Sequence, residues 1–463
     1  MSQIGGRLLL SLMRLVIALI VVRYSSAAVF GEYVVVLSVL LVAEWLVDFG
    51  MTEIAVLRIS QREENRERLL RSITVLRIGM SFLGFFVLLL LLQLLDYDET
   101  IFGAVMIGAI GLLFHAGALV YRVVFRVNMT MEKDVGSELL GVVAMLPLVL
   151  VVSLTGADVE MLAACYLVSK IVYFLMAAFF GRRDHRLSVV NSNQREIGSV
   201  LRQSMPLGVA GVLVVIADTM VPLILSKVLT MEDVGLYSVA MRFVLFASLV
   251  TSAVSSTFYP LLSRYWRRQP EAFRNTQQSA VELVVLFAGL LSCGLFAGSH
   301  MLIGFFGADM AGKHEVLQWL SLVVFARALT GVMSPMLIIA ERQTIVLAMT
   351  SFSLSCSFLV VLWLVNHAGI LGAVSGYVAV DYLLTMVPVL LVSQRLANVW
   401  LDWWPVGKIV VAAVLAVMPH LLWELDDVLG IALTVAIYGL VCWLTGVVQK
   451  DKVHALIVAI RER

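Results

Sequence analysis

The sequence is poor in charge. Asp, Glu, Lys and Arg make up 14% of its 463 residues, against about a quarter in a soluble domain. It also lacks paired cysteines. Cys165, Cys293, Cys356 and Cys442 stand singly inside apolar runs, so neither a disulfide framework nor a Cys-based metal site is indicated. There is no phosphate-binding glycine loop ending in Lys-Ser/Thr, no Gly-x-Ser-x-Gly, no His-Glu-x-x-His and no paired-aspartate metal motif. No long hydrophilic stretch offers a soluble catalytic domain. These absences argue against an ATP-driven pump and against an enzyme, and no cofactor is implied. The net charge of +1 carries no signature of a nucleic-acid partner.

Apolar residues are abundant, at 61% of the chain. One globular core cannot hide that much apolar surface, so lipid must serve as solvent. A crossing helix needs about 20 mostly apolar residues. The pattern predicts an all-α integral membrane protein with about 14 spans, near 8–28, 33–57, 72–95, 101–127, 136–155, 159–181, 204–227, 234–262, 279–306, 315–340, 343–365, 369–393, 406–423 and 428–447. Only Glu341-Arg342-Gln343 separates the tenth span from the eleventh, which predicts a tight helical hairpin. Arg14 interrupts the first run, Leu8 to Val22, and a second run follows at once. The start therefore reads as a retained span rather than a cleaved signal peptide.

Basic residues set the orientation. Of the 33 Lys and Arg, 27 fall on one set of loops and the two chain ends, three (Arg23, Lys227, Lys313) on the other set, and three (Lys170, Arg242, Arg327) inside spans. Both termini are expected in the cytoplasm. Arg77 is counted with the cytoplasmic loop set. The segment Arg58 to Arg71, with five Arg and three Glu, reads as a surface helix against anionic lipid. Trp400, Trp403 and Trp404 read as an interfacial belt. Pro147, Pro206, Pro222, Pro260, Pro335, Pro388 and Pro419 lie in or near spans, where they let helices bend.

A faint repeat is present. Phe30-Gly31-Glu32-Tyr33 opens the second span and Val234-Gly235-Leu236-Tyr237 the eighth, an offset of 204. Met131-Glu132-Lys133 near the exit of the fourth span matches Ala340-Glu341-Arg342 at the exit of the tenth, an offset of 209. Two six-helix lobes running in the same direction follow, 1–203 and 204–395, with two appended helices and a tail over 396–463.

Ionisable groups within spans point to function, since each costs about 2.5–3.5 kcal/mol to insert. The basic candidates are Arg14, Arg23, Lys170, Arg242 and Arg327, read as cations of a cavity that draws an anionic head group. The bland alternative is pairing with buried acids. The acidic candidates are Glu44, Asp48, Asp218 and Asp381, read as sites of proton or sodium coupling. Glu44 and Asp48 are four residues apart and share a helix face. His115, Arg122 and Arg126 share a face of the fourth span. His115 reads as a packing residue, and the two arginines as snorkelling to the head groups.

The order of several short motifs resembles that of bacterial polysaccharide flippases. They are Arg23-Tyr24-Ser25-Ser26-Ala27-Ala28-Val29-Phe30-Gly31-Glu32-Tyr33, Asp48-Phe49-Gly50 followed by Arg58, Gly235-x-Tyr237, Tyr259-Pro260-x-Leu262-Ser263-Arg264, and Gly369-Ile370-Leu371-Gly372-Ala373-Val374. They span about residues 1–395. The family belongs to the multidrug/oligosaccharidyl-lipid/polysaccharide exporter superfamily. The resemblance implies two MATE-like six-helix lobes around a central cavity, cationic as is typical of those flippases. It further implies translocation of an undecaprenyl-diphosphate-linked oligosaccharide to the outer leaflet of the bacterial inner membrane. Membrane lipid, and polysaccharide polymerase and chain-length proteins, would be partners. Asp381 stands where the family more usually has Glu. Two other readings remain open: an ion-coupled multidrug antiporter of the same superfamily, whose cavity would need to be acidic, and a membrane-embedded glycan polymerase.

Overall fold

The computed structural model describes residues 2–61, 66–156, 158–182, 194–266, 268–307, 310, 312–340, 342–396, 401–422 and 427–446. Every regular element among them is helical. The order is α1 (Ser2–Tyr24), α2 (Ala27–Asp48), α3 (Met51–Gln61), α4 (Arg66–Leu95), α5 (Glu99–Ala109), α6 (Gly111–Val127), α7 (Met131–Leu154), α8 (Val159–Gly181), α9 (Gln194–Val228), α10 (Met231–Tyr265), α11 (Pro270–Ala297) and α12 (Ser299–Gly304). Then come α13 (Glu315–Ile339), α14 (Gln343–Val380), a π-helical turn (Asp381–Met386), α15 (Val387–Leu396), α16 (Trp403–Leu422) and α17 (Asp427–Leu444). Residues 447–463, the expected tail, and Trp400 lie outside the described residues.

Among the described residues, thirteen stretches are long and apolar enough to cross a bilayer, so the chain is a multi-pass membrane protein. One of them, Thr344–Arg395, has 52 residues. That is far longer than the roughly 20 needed for one crossing. It turns at Ala368 (φ −133°) and Gly369 (φ 59°), inside α14. Beyond the turn the chain folds back. A Cβ at Gly372 would fall on the Leu364 carbonyl, and one at Gly376 would touch Val360 and Leu364. Gly369 supplies the left-handed backbone, and Gly372 and Gly376 let the two arms close. Counted as two crossings, this stretch brings the total to fourteen. The tight turn expected between the tenth and eleventh spans is also present, with α13 ending at Ile339 and α14 starting at Gln343.

The chain divides into two compact units, Met1–Ser238 and Val239–Arg463. The first unit includes α9, which packs closely on α2. Phe49 (φ 38°) and Gly50 (φ 73°) turn the end of α2 through the left-handed region. The Phe49 ring then lies against Gly208, Leu207 against Gly50, and the Trp45 indole against Gly211. The Asp48-Phe49-Gly50 motif is thus the corner that admits α9. At its other end α2 is capped by Ser26, whose hydroxyl accepts from the Val29 N–H at 3.1 Å.

The two repeat motifs meet within the first unit. A Cβ on Gly31 would strike the Met231 carbonyl, and one on Gly235 would strike the Ala27 carbonyl. Glycine at both positions therefore reflects close backbone approach, and the approach is reciprocal.

The segment expected as a surface helix, residues 58–71, is described except at residues 62–65. Arg58 lies near the end of α3 and donates to Gln203 Oε1 at 2.8 Å and Ser199 Oγ at 2.5 Å, both on α9. Arg66 to Arg71 open the separate helix α4, and Arg62 lies outside the described residues. The arginine found a protein partner on a neighbouring helix, which a local charge count does not register.

In the second unit α11 is the central support. It carries α13 on one side and the appended pair α16–α17 on another. The pair is tied along its height. Gln278 Nε2 donates to the Asp402 carbonyl at 3.0 Å, Tyr438 Oη donates to the Leu286 carbonyl at 2.8 Å, and His300 Nδ1 meets Asp427 Oδ2 at 2.8 Å. All four cysteines are free thiols.

Candidate functional site: a charged network in the first unit

The interior of the first unit holds a network of ionised side chains from six helices. An unpaired charge is expensive in an apolar bundle, so each ion needs an opposite one close by. Glu44 and Asp48 sit one turn apart on α2, and each has its own cation. Lys170 Nζ on α8 approaches Glu44 Oε1 at 2.5 Å. The Tyr166 hydroxyl, one turn before Lys170 on α8, also donates to Glu44. Arg77 on α4 donates through Nη2 to Asp48 Oδ1 at 2.8 Å and to Thr52 Oγ1 at 2.8 Å. Thr52 in turn donates to Asp48 at 2.5 Å.

A second cluster adjoins the first. On α6, Arg122 Nε donates to Asp134 Oδ2 at 3.0 Å, and its Nη2 reaches the Tyr173 hydroxyl at 3.0 Å and Glu138 Oε2 at 3.4 Å. Tyr173 on α8 donates to Asp134 Oδ1 at 2.9 Å. Glu138, one turn after Asp134 on α7, also accepts from Arg14 Nη2 of α1 at 3.0 Å. His115, one face of α6 with Arg122, has its ring 6.4 Å from that of Tyr173. Four acids (Glu44, Asp48, Asp134, Glu138) thus meet four bases (Arg14, Arg77, Arg122, Lys170). Their exposure is graded: the Arg77 side chain is 0% exposed and the Arg14 side chain 57%.

The structure joins candidates that the sequence had assigned to different roles. Lys170, a candidate cation for substrate, is the partner of Glu44, a candidate for coupling. Arg14 is paired with Glu138. Arg23 is exposed at the last turn of α1, outside this network. Asp218 is exposed on α9. In the second unit Arg327 on α13 donates to the Tyr377 hydroxyl at 2.5 Å. Asp381 follows Tyr377 by one turn and opens the π-helical turn. Arg242 is half-buried on α10.

Sequence reasoning missed several members. Arg77 was grouped with loop residues because basic residues cluster just before it, yet it lies within α4 with no exposure at all. Arg122 does not snorkel: Asp134, Glu138 and Tyr173 hold it inside. Arg126 pairs with Glu53 of α3. Asp134 and Glu138 were overlooked, although their spacing of four was available. So was the spacing of Tyr166, Lys170 and Tyr173, which puts all three on one face of α8. No group of three metal-ligating side chains is arranged for an ion among the described residues.

Residues 2–266, more than half of the chain, match the model of a family described as polysaccharide biosynthesis protein. No curated protein matches in sequence. Among solved structures, the chain is similar to lipid II flippase MurJ in an inward closed conformation, with a TM-score of 0.77 at 12% identity over 96% of this chain and 97% of that one. It is similar to an inward-facing multidrug resistance MATE family transporter of the MOP superfamily, with a TM-score of 0.69 at 15% identity over 84% of this chain and 95% of that one. A MATE transporter of Vibrio cholerae gives a TM-score of 0.59 at 16% identity over 85% and 94%. At these identities the likeness is one of fold.

Proposed function

Because this chain belongs to the polysaccharide biosynthesis protein family, we propose that it is a flippase for an undecaprenyl-diphosphate-linked oligosaccharide. It moves the lipid from the inner to the outer leaflet of a bacterial cytoplasmic membrane by alternating access, with both termini in the cytoplasm. Two six-helix lobes carry the movement, and polysaccharide polymerase and chain-length proteins act next in the pathway.

One observation carries the reading. Arg14 stands midway along an apolar helix, more than half-exposed, with Glu138 Oε1 3.0 Å from its Nη2. A guanidinium kept accessible at such a position is suited to a phosphate. Arg23, Arg242 and Arg327 supply further cations, and Lys170 becomes one whenever Glu44 is protonated. The reading places ion coupling at Glu44, beside Lys170 at 2.5 Å, and Asp48, Asp218 and Asp381 are the other acids able to contribute. The antiporter reading is weaker, since the acids at Glu44, Asp48, Asp134 and Glu138 are all matched by bases. A cationic drug would find no surplus negative charge there.

The test is reconstitution in proteoliposomes with a fluorescent polyprenyl-diphosphate oligosaccharide. Protein-dependent loss of the probe from the outer leaflet supports the reading. A rate equal to that of empty vesicles, alongside uptake of a cationic dye, overturns it.

A further inference from the structure

The buried part of the network is balanced and offers an anion little. Arg14 differs, since its side chain is 57% exposed whereas those of Arg77, Arg122 and Lys170 are 0%, 23% and 16% exposed. Its partner Glu138 is shared with Arg122, and the sharing is uneven. Arg122 holds Asp134 at 3.0 Å and Tyr173 at 3.0 Å, while its contact to Glu138 is longer, at 3.4 Å. Arg122 therefore stays satisfied if Glu138 moves. Glu138 itself is partly exposed, at 28%. Its carboxylate makes the same geometric demand on a guanidinium as a phosphate does.

We infer that Glu138 is a built-in competitor for Arg14: it occupies Arg14 in the empty protein and is displaced by the lipid head group, so it weakens binding and hastens release. The inference rests on the flippase reading and names a residue outside the candidate cations. A phosphodiester phospholipid carries one negative charge, equal to that of the carboxylate it would displace. A diphosphate carries more, so it repays the displacement more fully than bulk phospholipid does. The same competition returns Arg14 to Glu138 as the diphosphate leaves, which speeds release.

The experiment measures dissociation constants of the full-length protein in detergent for farnesyl diphosphate and for phosphatidylglycerol. The wild type prefers the diphosphate. E138Q tightens both ligands by roughly fivefold, as expected for loss of one partly exposed ion pair, and slows diphosphate release. E138D, which withdraws the carboxylate but keeps its charge, moves both affinities the same way. R14Q weakens both ligands, and R14Q/E138Q binds as R14Q does, because a competitor for Arg14 has no effect without Arg14. Unchanged affinities in E138Q, or a gain from E138Q that persists in the R14Q background, overturn the inference while leaving the flippase reading standing. A wild type that binds no diphosphate removes both.

Discussion

Glu44 and Lys170 meet at 2.5 Å across the bundle of the first unit, one on α2 and the other on α8, with the Tyr166 hydroxyl completing the contact. Both ions are largely removed from solvent, at 11% and 16% exposure, so each depends on the other. Breaking such a pair leaves a stranded charge and costs about 3–5 kcal/mol, whereas removing both charges costs much less. Lys170→Met is therefore expected to lower thermal stability sharply, and the double variant Glu44→Gln/Lys170→Met to recover most of the loss. Thermal unfolding of the three variants in detergent checks it. Additive losses would show that the two residues do not depend on each other.

Arg77 and Arg71 lie on the same helix and differ only in what surrounds them. Arg77 is fully buried against Asp48 and Thr52, while Arg71 pairs with the exposed Glu67 one turn away. Arg77→Met should destabilise by about 3–5 kcal/mol. Arg71→Met should change stability by about 0.5 kcal/mol or less. Equal effects in a detergent unfolding series would contradict the burial assigned to Arg77.

The reciprocal approach of Gly31 and Gly235 leaves no room for a side chain at either site. Gly31→Val and Gly235→Val are each expected to force α2 and the start of α10 apart, lowering both stability and transport. Gly79→Ala provides the contrast, since a Cβ there meets nothing within 4 Å. Tolerance of valine at Gly31 would show that the two motifs do not touch.

The hairpin at Gly369 fixes the number of crossings, and with it the side on which the chain ends. A reporter fused after residue 367 should read extracytoplasmic, and reporters fused after residues 340 and 396 cytoplasmic. The same side for all three would mean that the 52-residue stretch does not cross twice.

Much of the fold was legible in the sequence because spans are written in long apolar runs. Gly31 and Gly235 stood out in matching motifs, and close backbone approach explains glycine at both. The Gly369-x-x-Gly372 pattern marked the hairpin in the same way. The site was legible only in part. Glu44 and Lys170 stood out as charges inside apolar runs, but their partnership spans 126 residues and no local pattern encodes it. Arg77, Asp134 and Glu138 were hidden because they lie near span ends, where charge is ordinarily solvated. Only the packing of α4 and α7 against their neighbours shows that these three are held inside the first unit.

The central claim is that an accessible arginine in a membrane span serves a phosphorylated lipid. Mass spectrometry of the lipid that copurifies with the protein from a bacterial membrane tests it most directly. The wild type should retain a polyprenyl-diphosphate species enriched well above its share of the membrane, and Arg14→Gln should lose that enrichment. Bulk phospholipid alone in both samples, or equal enrichment in both, would contradict the role given to Arg14.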